Sequence, residues 1–187
     1  MDYTKIKAAE VSIIVDDEKL SAELFSIDES KWDKRIDDAT GYSWQSIFLT
    51  KNNIEEFKDF KSAKNIKHSQ WHWNDLFDIP YIKKLIESLP LTTIGMVRAF
   101  IATGPLPIHV DNDKNTPQDL SYSLGLTIAS RLTEPMTMEP NLLIKEKYIL
   151  FNDSVPHGFP NNQDTQISIR IFGDFDYEKF NITKVYL

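Results

Sequence analysis

A chain of 187 residues, 41% of them apolar and 12% aromatic, is long enough to bury one hydrophobic core and predicts a single domain. It has no cysteine, which excludes disulfides, thiolate nucleophiles and Cys-ligated zinc or iron–sulfur centres; any metal must be held by nitrogen and oxygen. With 21 basic against 28 acidic residues the net charge is −7, a poor match to a phosphate backbone, and the 6 glycines form no phosphate-cradling loop, so nucleic-acid partners and nucleotide-binding folds are disfavoured.

In chain order, strands are predicted at Glu10–Val15 and around Ser43–Leu49, with Trp32 and Trp44 as core aromatics. Asn52–Lys67 (NNIEEFKDFKSAKNIK) is the most polar stretch and reads as an exposed helix and loop. His68-Ser69-Gln70-Trp71-His72-Trp73 follows. On a helix, its two histidines four apart form a second metal site; in a strand, His68, Gln70 and His72 share a polar face opposite Trp71 and Trp73. A helix is predicted over about Ile79–Ser88. Pro80 stands at its start, where a missing N–H is harmless, Leu89-Pro90 ends it, and Ile82, Leu85, Ile86 and Leu89 recur on one face.

From residue 91 to 176 the chain reads as successive strands at Thr93–Thr103, Ser121–Ser130, Lys147–Asn152 and Gln166–Phe175. Turn-forming clusters at Thr103-Gly104-Pro105, Asn112–Pro117 and Asn161–Asp164 separate them. The expected class is mainly β with flanking helices, in a closed or double-sheet, jelly-roll-like barrel. Residues 1–90 form its N-terminal α/β layer, 91–176 its core and 177–187 a C-terminal tail. No charged start leads into an apolar leader and no run of about 18 apolar residues could cross a bilayer, so a soluble, cytoplasmic protein without membrane partners is expected.

The residues that carry chemistry lie in this second half. His109-Val110-Asp111 ends a predicted strand, and in extended chain residues two apart point to one side, so imidazole and carboxylate can grip one ion. A third ligand is available in His157, after the strand and turn of Tyr148–Pro156. Two histidines and one carboxylate leave three positions of an octahedron open, the arrangement of non-haem Fe(II) oxygenases. Such chemistry also needs a cation that grips the far carboxylate of a 2-oxo acid. Arg170 is placed for this in Gln166-Ile167-Ser168-Ile169-Arg170-Ile171-Phe172, where alternation sets Ser168, Arg170 and Phe172 on one face, and Ser168 offers a hydroxyl to the same carboxylate.

From Ile79 to Asp176 the sequence resembles the 2-oxoglutarate/Fe(II) oxygenase superfamily, and more narrowly the aspartyl/asparaginyl β-hydroxylase family, which includes bacterial free-proline hydroxylases. The resemblance rests on IPYIKKLIESLP, TGPLPIHVD, LGLTI at Leu124–Ile128, KYILFNDSVPHGF at Lys147–Phe159 and SIRIFGDF at Ser168–Phe175. It implies a cupin-like double-stranded β-helix that binds Fe(II) through His109, Asp111 and His157, with Arg170 as anchor of 2-oxoglutarate. It implies O2-dependent hydroxylation of a small-molecule or peptidyl substrate, with release of succinate and CO2. The family often carries Arg-x-His just before the LGL segment, where this chain has Ser121-Tyr122-Ser123; Arg98 and Ser123 are then candidates for the missing cosubstrate contacts, a structural ion pair being the other reading of Arg98. The loop Asn112–Asp119 is a lid, or a surface hairpin. Two alternatives stand beside the oxygenase: a non-catalytic, sensory metal-binding jelly roll, and a zinc hydrolase, for which no general base stands at fixed spacing.

Overall fold

Ile167, Ile169 and Ile171 alternate with Ser168, Arg170 and Phe172, and the computed structural model shows what that alternation separates. It describes residues 2–37, 41–52, 66–111, 124–138 and 141–187. These are mainly β, in antiparallel sheets with two helices, α1 (Asp17–Ser26) and α2 (Pro80–Glu87). In chain order the strands of the described residues are β1 (Ala8–Val11), β2 (Asp33–Asp37), β3 (Tyr42–Phe48), β4 (Thr50–Asn52), β5 (Trp71–Trp73), β6 (Leu91–Thr103) and β7 (Leu106–His109). They continue with β8 (Leu124–Arg131), β9 (Met136–Met138), β10 (Leu142–Ile144), β11 (Tyr148–Asn152), β12 (His157–Phe159), β13 (Thr165–Phe175) and β14 (Ile182–Tyr186). The large sheet has the order β14-β1-β11-β8-β13-β6-β3-β2, the small one β10-β9-β12-β7, and β4 pairs with β5.

One face of the large sheet is aliphatic. Ile167, Ile169 and Ile171 of β13 join Val97 and Ala99 of β6 and Leu124, Leu126 and Ile128 of β8, packed with Leu20 and Leu24 of α1 and Ile82, Leu85 and Ile86 of α2. Each of these valine, leucine and isoleucine side chains contributes about 1.5–3 kcal/mol on burial, which holds both helices on the sheet. On the opposite, inner face, Ala8, Ile149 and Phe151 pack against Met136 and Met138 of β9 and Ile144 of β10. This second cluster sets the small sheet against the β1–β11 side of the large one. A cavity of about 590 Å³ lies over the rest of that inner face.

The predicted helix and the long strands are found within a few residues of their expected bounds, the first strand being earlier, at Ala8–Val11. Helix α1 carries too few apolar residues to announce itself: only Leu20 and Leu24 are buried, among charged neighbours. The segment read as a C-terminal tail holds β14, which pairs with β1 at the sheet edge. The three-residue strands β9, β10 and β12 are too short for a period to register. Positions 53–65, most of the polar stretch Asn52–Lys67, lie outside the described residues. No helix of the described residues is long and apolar enough to cross a membrane.

The two helices complete each other. Ile79, at the N-cap of α2, has no side chain that could accept, and Pro80 removes one N–H. The next two, on Tyr81 and Ile82, donate to Glu23 of α1 at 2.7 and 2.9 Å, while the Tyr81 hydroxyl accepts from the N–H of Asp16 at 2.6 Å. Glu23 thus does the work of a missing cap with a charge that suits a helix N-terminus. Replacing it (Glu23→Ala) is expected to cost about 1 kcal/mol in urea unfolding, and Glu23→Gln less, because one amide oxygen still accepts.

Candidate metal centre

β12 runs antiparallel to β7 with His157 directly opposite His109. Gly158 permits that approach: a Cβ there would meet the carbonyl oxygens of Pro107 at 2.8 Å and Leu106 at 2.9 Å. The two rings lie 4.7 Å apart between centroids. Each histidine donates Nδ1–H to the carbonyl two residues before it, His109 to Pro107 and His157 to Val155, both at 2.9 Å. That bond fixes the ring and leaves Nε2 as the nitrogen for a ligand. Asp111 closes the cluster. Its Oδ1 lies 3.4 Å from His109 Nε2 and its Oδ2 3.5 Å from His157 Nε2.

The sequence argument placed Asp111 by strand alternation, but β7 stops at His109 and Asp111 lies in a bend. It is held there by its own N–H, which donates to the carbonyl of Asp153 at 3.1 Å, tying this bend to the turn before β12. Burial pushes the Asp111 carboxyl up, and hydrogen bonds and charge from the two histidines outweigh it, holding the group well below the usual carboxylate range. Reciprocally, the hydrogen bond to Asp111 raises His109 above its ordinary value, against burial. One ligand atom from each of the three side chains lies within 4.8 Å of the others, so the triad could hold a metal ion. Two imidazole nitrogens with fixed tautomers and one carboxylate fit a divalent transition metal and leave positions open.

Arg170 lies on the inner face of β13 in the same cavity as the triad, and only 5% of it is exposed. Its Nη1 donates to the Gly125 carbonyl and to Thr127 Oγ1, both at 3.0 Å, and its Nη2 to the Phe151 carbonyl at 2.9 Å. Gly125 is needed here, since a Cβ would sit 2.8 Å from the Phe172 ring and 3.0 Å from Arg170 Nε. The guanidinium lies 3.6 Å from the ring centre of Phe151, and the His157 ring lies 4.9 Å from it, so one aromatic ring touches both the buried cation and a triad histidine. Burial pulls Arg170 down to about 10, against the charges of Asp153 and Asp111, and it remains a cation at neutral pH.

Of the remaining expected site residues, Ser168 and Arg98 line the cavity, Arg98 buried on β6 directly opposite Arg170. Ser123 and the loop Asn112–Asp119 lie outside the described residues. Trp44 is not a core aromatic; half-buried on β3, it lines the cavity, whereas Trp32 is buried in the core. Among the described residues His68 and His72 form no second metal site: a 3-10 turn buries His68 while His72 stands exposed on β5, so the helical spacing that would bring them together is not found. Sequence reading missed Phe151, Thr127 and Gln166 as cavity residues. Alternation could have found Gln166, which precedes Ser168 and Arg170 on the same face of β13.

Compared with known proteins, the sequence matches no family model and no curated protein. The chemistry of the site carries the functional reading.

If the three side chains bind one ion, Asp111→Ala and His157→Ala will each weaken Mn(II) or Co(II) binding by more than the 10–100-fold typical of losing a supporting residue. Calorimetric titration of metal-free protein measures this; an unchanged affinity in either variant sinks the assignment.

Proposed function

We propose that this protein is an Fe(II)- and 2-oxoglutarate-dependent oxygenase of the aspartyl/asparaginyl β-hydroxylase type. It hydroxylates an unactivated C–H bond of an amino acid, an amino-acid derivative or a peptidyl side chain and releases succinate and CO2. The proposed frame is a double-stranded β-helix, supported by the eight- and four-stranded antiparallel sheets that enclose the cavity and by the triad's place at the β7–β12 pair.

The observation that carries this reading is Arg170. Taking a guanidinium out of water costs several kcal/mol even after relaxation, and among the described residues no carboxylate lies within ion-pair distance of it, Asp153 and Asp111 acting on it only from farther off. Two carbonyls and a hydroxyl offset part of that cost without neutralising the charge. A metal module without turnover has no use for such a cation beside its ligands, whereas a 2-oxo acid needs one for its distal carboxylate.

His109, Asp111 and His157 would hold the iron, which supplies oxygen activation and, with three protein ligands, keeps room for a bidentate 2-oxo acid and O2. The protein contributes the rest. Arg170 orients the distal carboxylate, and Ser168, one step along the same strand face, donates its hydroxyl to it. Phe151 keeps guanidinium and His157 at fixed spacing. Apolar walls from Ile149, Met136 and Phe159 exclude water, so a bound C–H bond is held in place rather than diffusing.

The test is succinate release from 2-oxoglutarate by protein reconstituted anaerobically with Fe(II) and then given O2. Wild type is expected to turn over slowly without substrate, Asp111→Ala to fall to background, and Arg170→Met to raise KM for 2-oxoglutarate at least tenfold, about 1.4 kcal/mol. Equal rates in wild type and Asp111→Ala would remove the catalytic assignment.

A further inference from the structure

Arg98 and Arg170 face each other across β6 and β13, on the same inner face. Two like charges in direct cross-strand register repel, and their heads part. Arg170 turns toward β8 and β11, to Gly125, Thr127 and Phe151. Arg98 turns toward β3, where its Nη2 donates to Ser46 Oγ at 2.6 Å. There the guanidinium lies 5.0 Å from the ring of Trp44, 4.9 Å from Phe48 and 5.1 Å from Phe100. Three rings near the guanidinium stabilise the cation without neutralising its charge, and a planar guanidinium suits bidentate recognition of a carboxylate.

The cavity therefore has two cationic stations on different walls. Its inner wall repeats in rows across three strands: Phe48, Arg98 and Arg170, then Ser46, Phe100 and Ser168, then Trp44, Ala102 and Gln166. Gln166 is 8% exposed, lines the cavity and has an Nε2 that makes no hydrogen bond among the described residues. It stands four strand positions from Arg170, ~13 Å along the backbone. A five-carbon 2-oxo acid spans roughly 5 Å between its terminal carbons and, anchored at Arg170, leaves the rest of a cavity of about 590 Å³ to another molecule. That remaining part has aromatic walls, a second guanidinium and an amide. Arg35, 5.1 Å from the Trp44 ring, adds positive charge to the lining, in a protein whose net charge is −7.

We infer that Arg98 is the anchor for the primary substrate, and that this substrate is a carboxylic acid with an apolar or aromatic body that lies along Phe100 and Trp44. The assignment rests on the oxygenase reading for the identity of the first anion, and it moves Arg98 from the cosubstrate, where the sequence placed it, to the substrate.

The experiment uses Fe(II)-loaded full-length protein and a panel of acids, L-leucine, L-phenylalanine, their N-acetyl forms and 3-phenylpropionate, each beside its primary amide, which lacks the carboxylate; the N-acetyl and 3-phenylpropionate pairs compare anion with neutral molecule. Succinate release from 2-oxoglutarate reports productive binding. Anaerobic tryptophan fluorescence reports binding without turnover, since Trp44 lies against Arg98, and Trp44→Phe identifies its share of the signal. At least one acid should stimulate succinate release and shift the fluorescence where its amide does neither. Arg98→Gln should raise that acid's half-saturating concentration at least tenfold, and by a larger factor than it raises KM for 2-oxoglutarate, with partial recovery in Arg98→Lys. Ser46→Ala, which removes only the hydroxyl that Arg98 holds, should weaken the acid severalfold and covers the case in which Arg98→Gln does not fold. The inference is overturned if amides act as well as acids, if no acid shifts the fluorescence, or if Arg98→Gln impairs 2-oxoglutarate more than the acid. Should wild type fail to consume 2-oxoglutarate at all, the oxygenase reading falls, and the fluorescence arm alone decides whether Arg98 binds carboxylates.

Discussion

A guanidinium kept charged between two sheets is the constraint on which the inner face of this protein depends. Arg170 is buried to 5% exposure, and its neighbours are what such burial requires. Gly125 withholds a side chain so that Nε and the Phe172 ring fit, the carbonyls of Gly125 and Phe151 and the hydroxyl of Thr127 accept its protons, and Phe151 lies flat against it. The cost of desolvating the ion is borne by the other face of the same strand, where Ile167, Ile169 and Ile171 pack against α1 and α2. One strand thus links stability and chemistry through its period of two.

The cluster of His109, Asp111 and His157 is assembled by different means. Each histidine is oriented locally, by the carbonyl two residues upstream, so its ring position is largely a property of Leu106–His109 and Val155–His157. Bringing the two segments together is a long-range matter. Strands of three and four residues have little stability of their own, and the small sheet owes its position to Met136, Met138 and Ile144 packing on Ile149 and Phe151. Phe151 therefore serves three structures at once: the second core cluster, the Arg170 pocket and the His157 contact.

Much of this was legible in advance where a pattern repeats. Helix α2 showed its proline, its apolar spacing and its stop, and β6, β8, β11 and β13 showed their alternation and their β-branched residues. His109, His157 and Arg170 were legible because histidine and arginine are rare in the chain and stand at strand ends or on a strand's polar face, and Asp111, one of many aspartates, because it stands two residues after His109. Trp44 was misplaced because an aromatic residue on a strand fits a core as well as a cavity wall, and the difference lies in what packs opposite. Asp111 was named for the wrong reason: its reach to both histidines comes from a bend held by Asp153, not from alternation.

By itself, the sequence determined which chemistry is available: no thiolate, two histidines and a carboxylate near strand ends, and an arginine that alternation sets apart from three isoleucines. Local rules suffice for that, because periodicity and backbone geometry act over a few residues. The tertiary structure alone decided which of these groups meet. The pairing of β7 with β12, the parting of Arg98 from Arg170 toward different walls, and the sharing of Phe151 between cation and imidazole depend on contacts between residues far apart in the chain, whose register is set by packing and not by any neighbour in the chain.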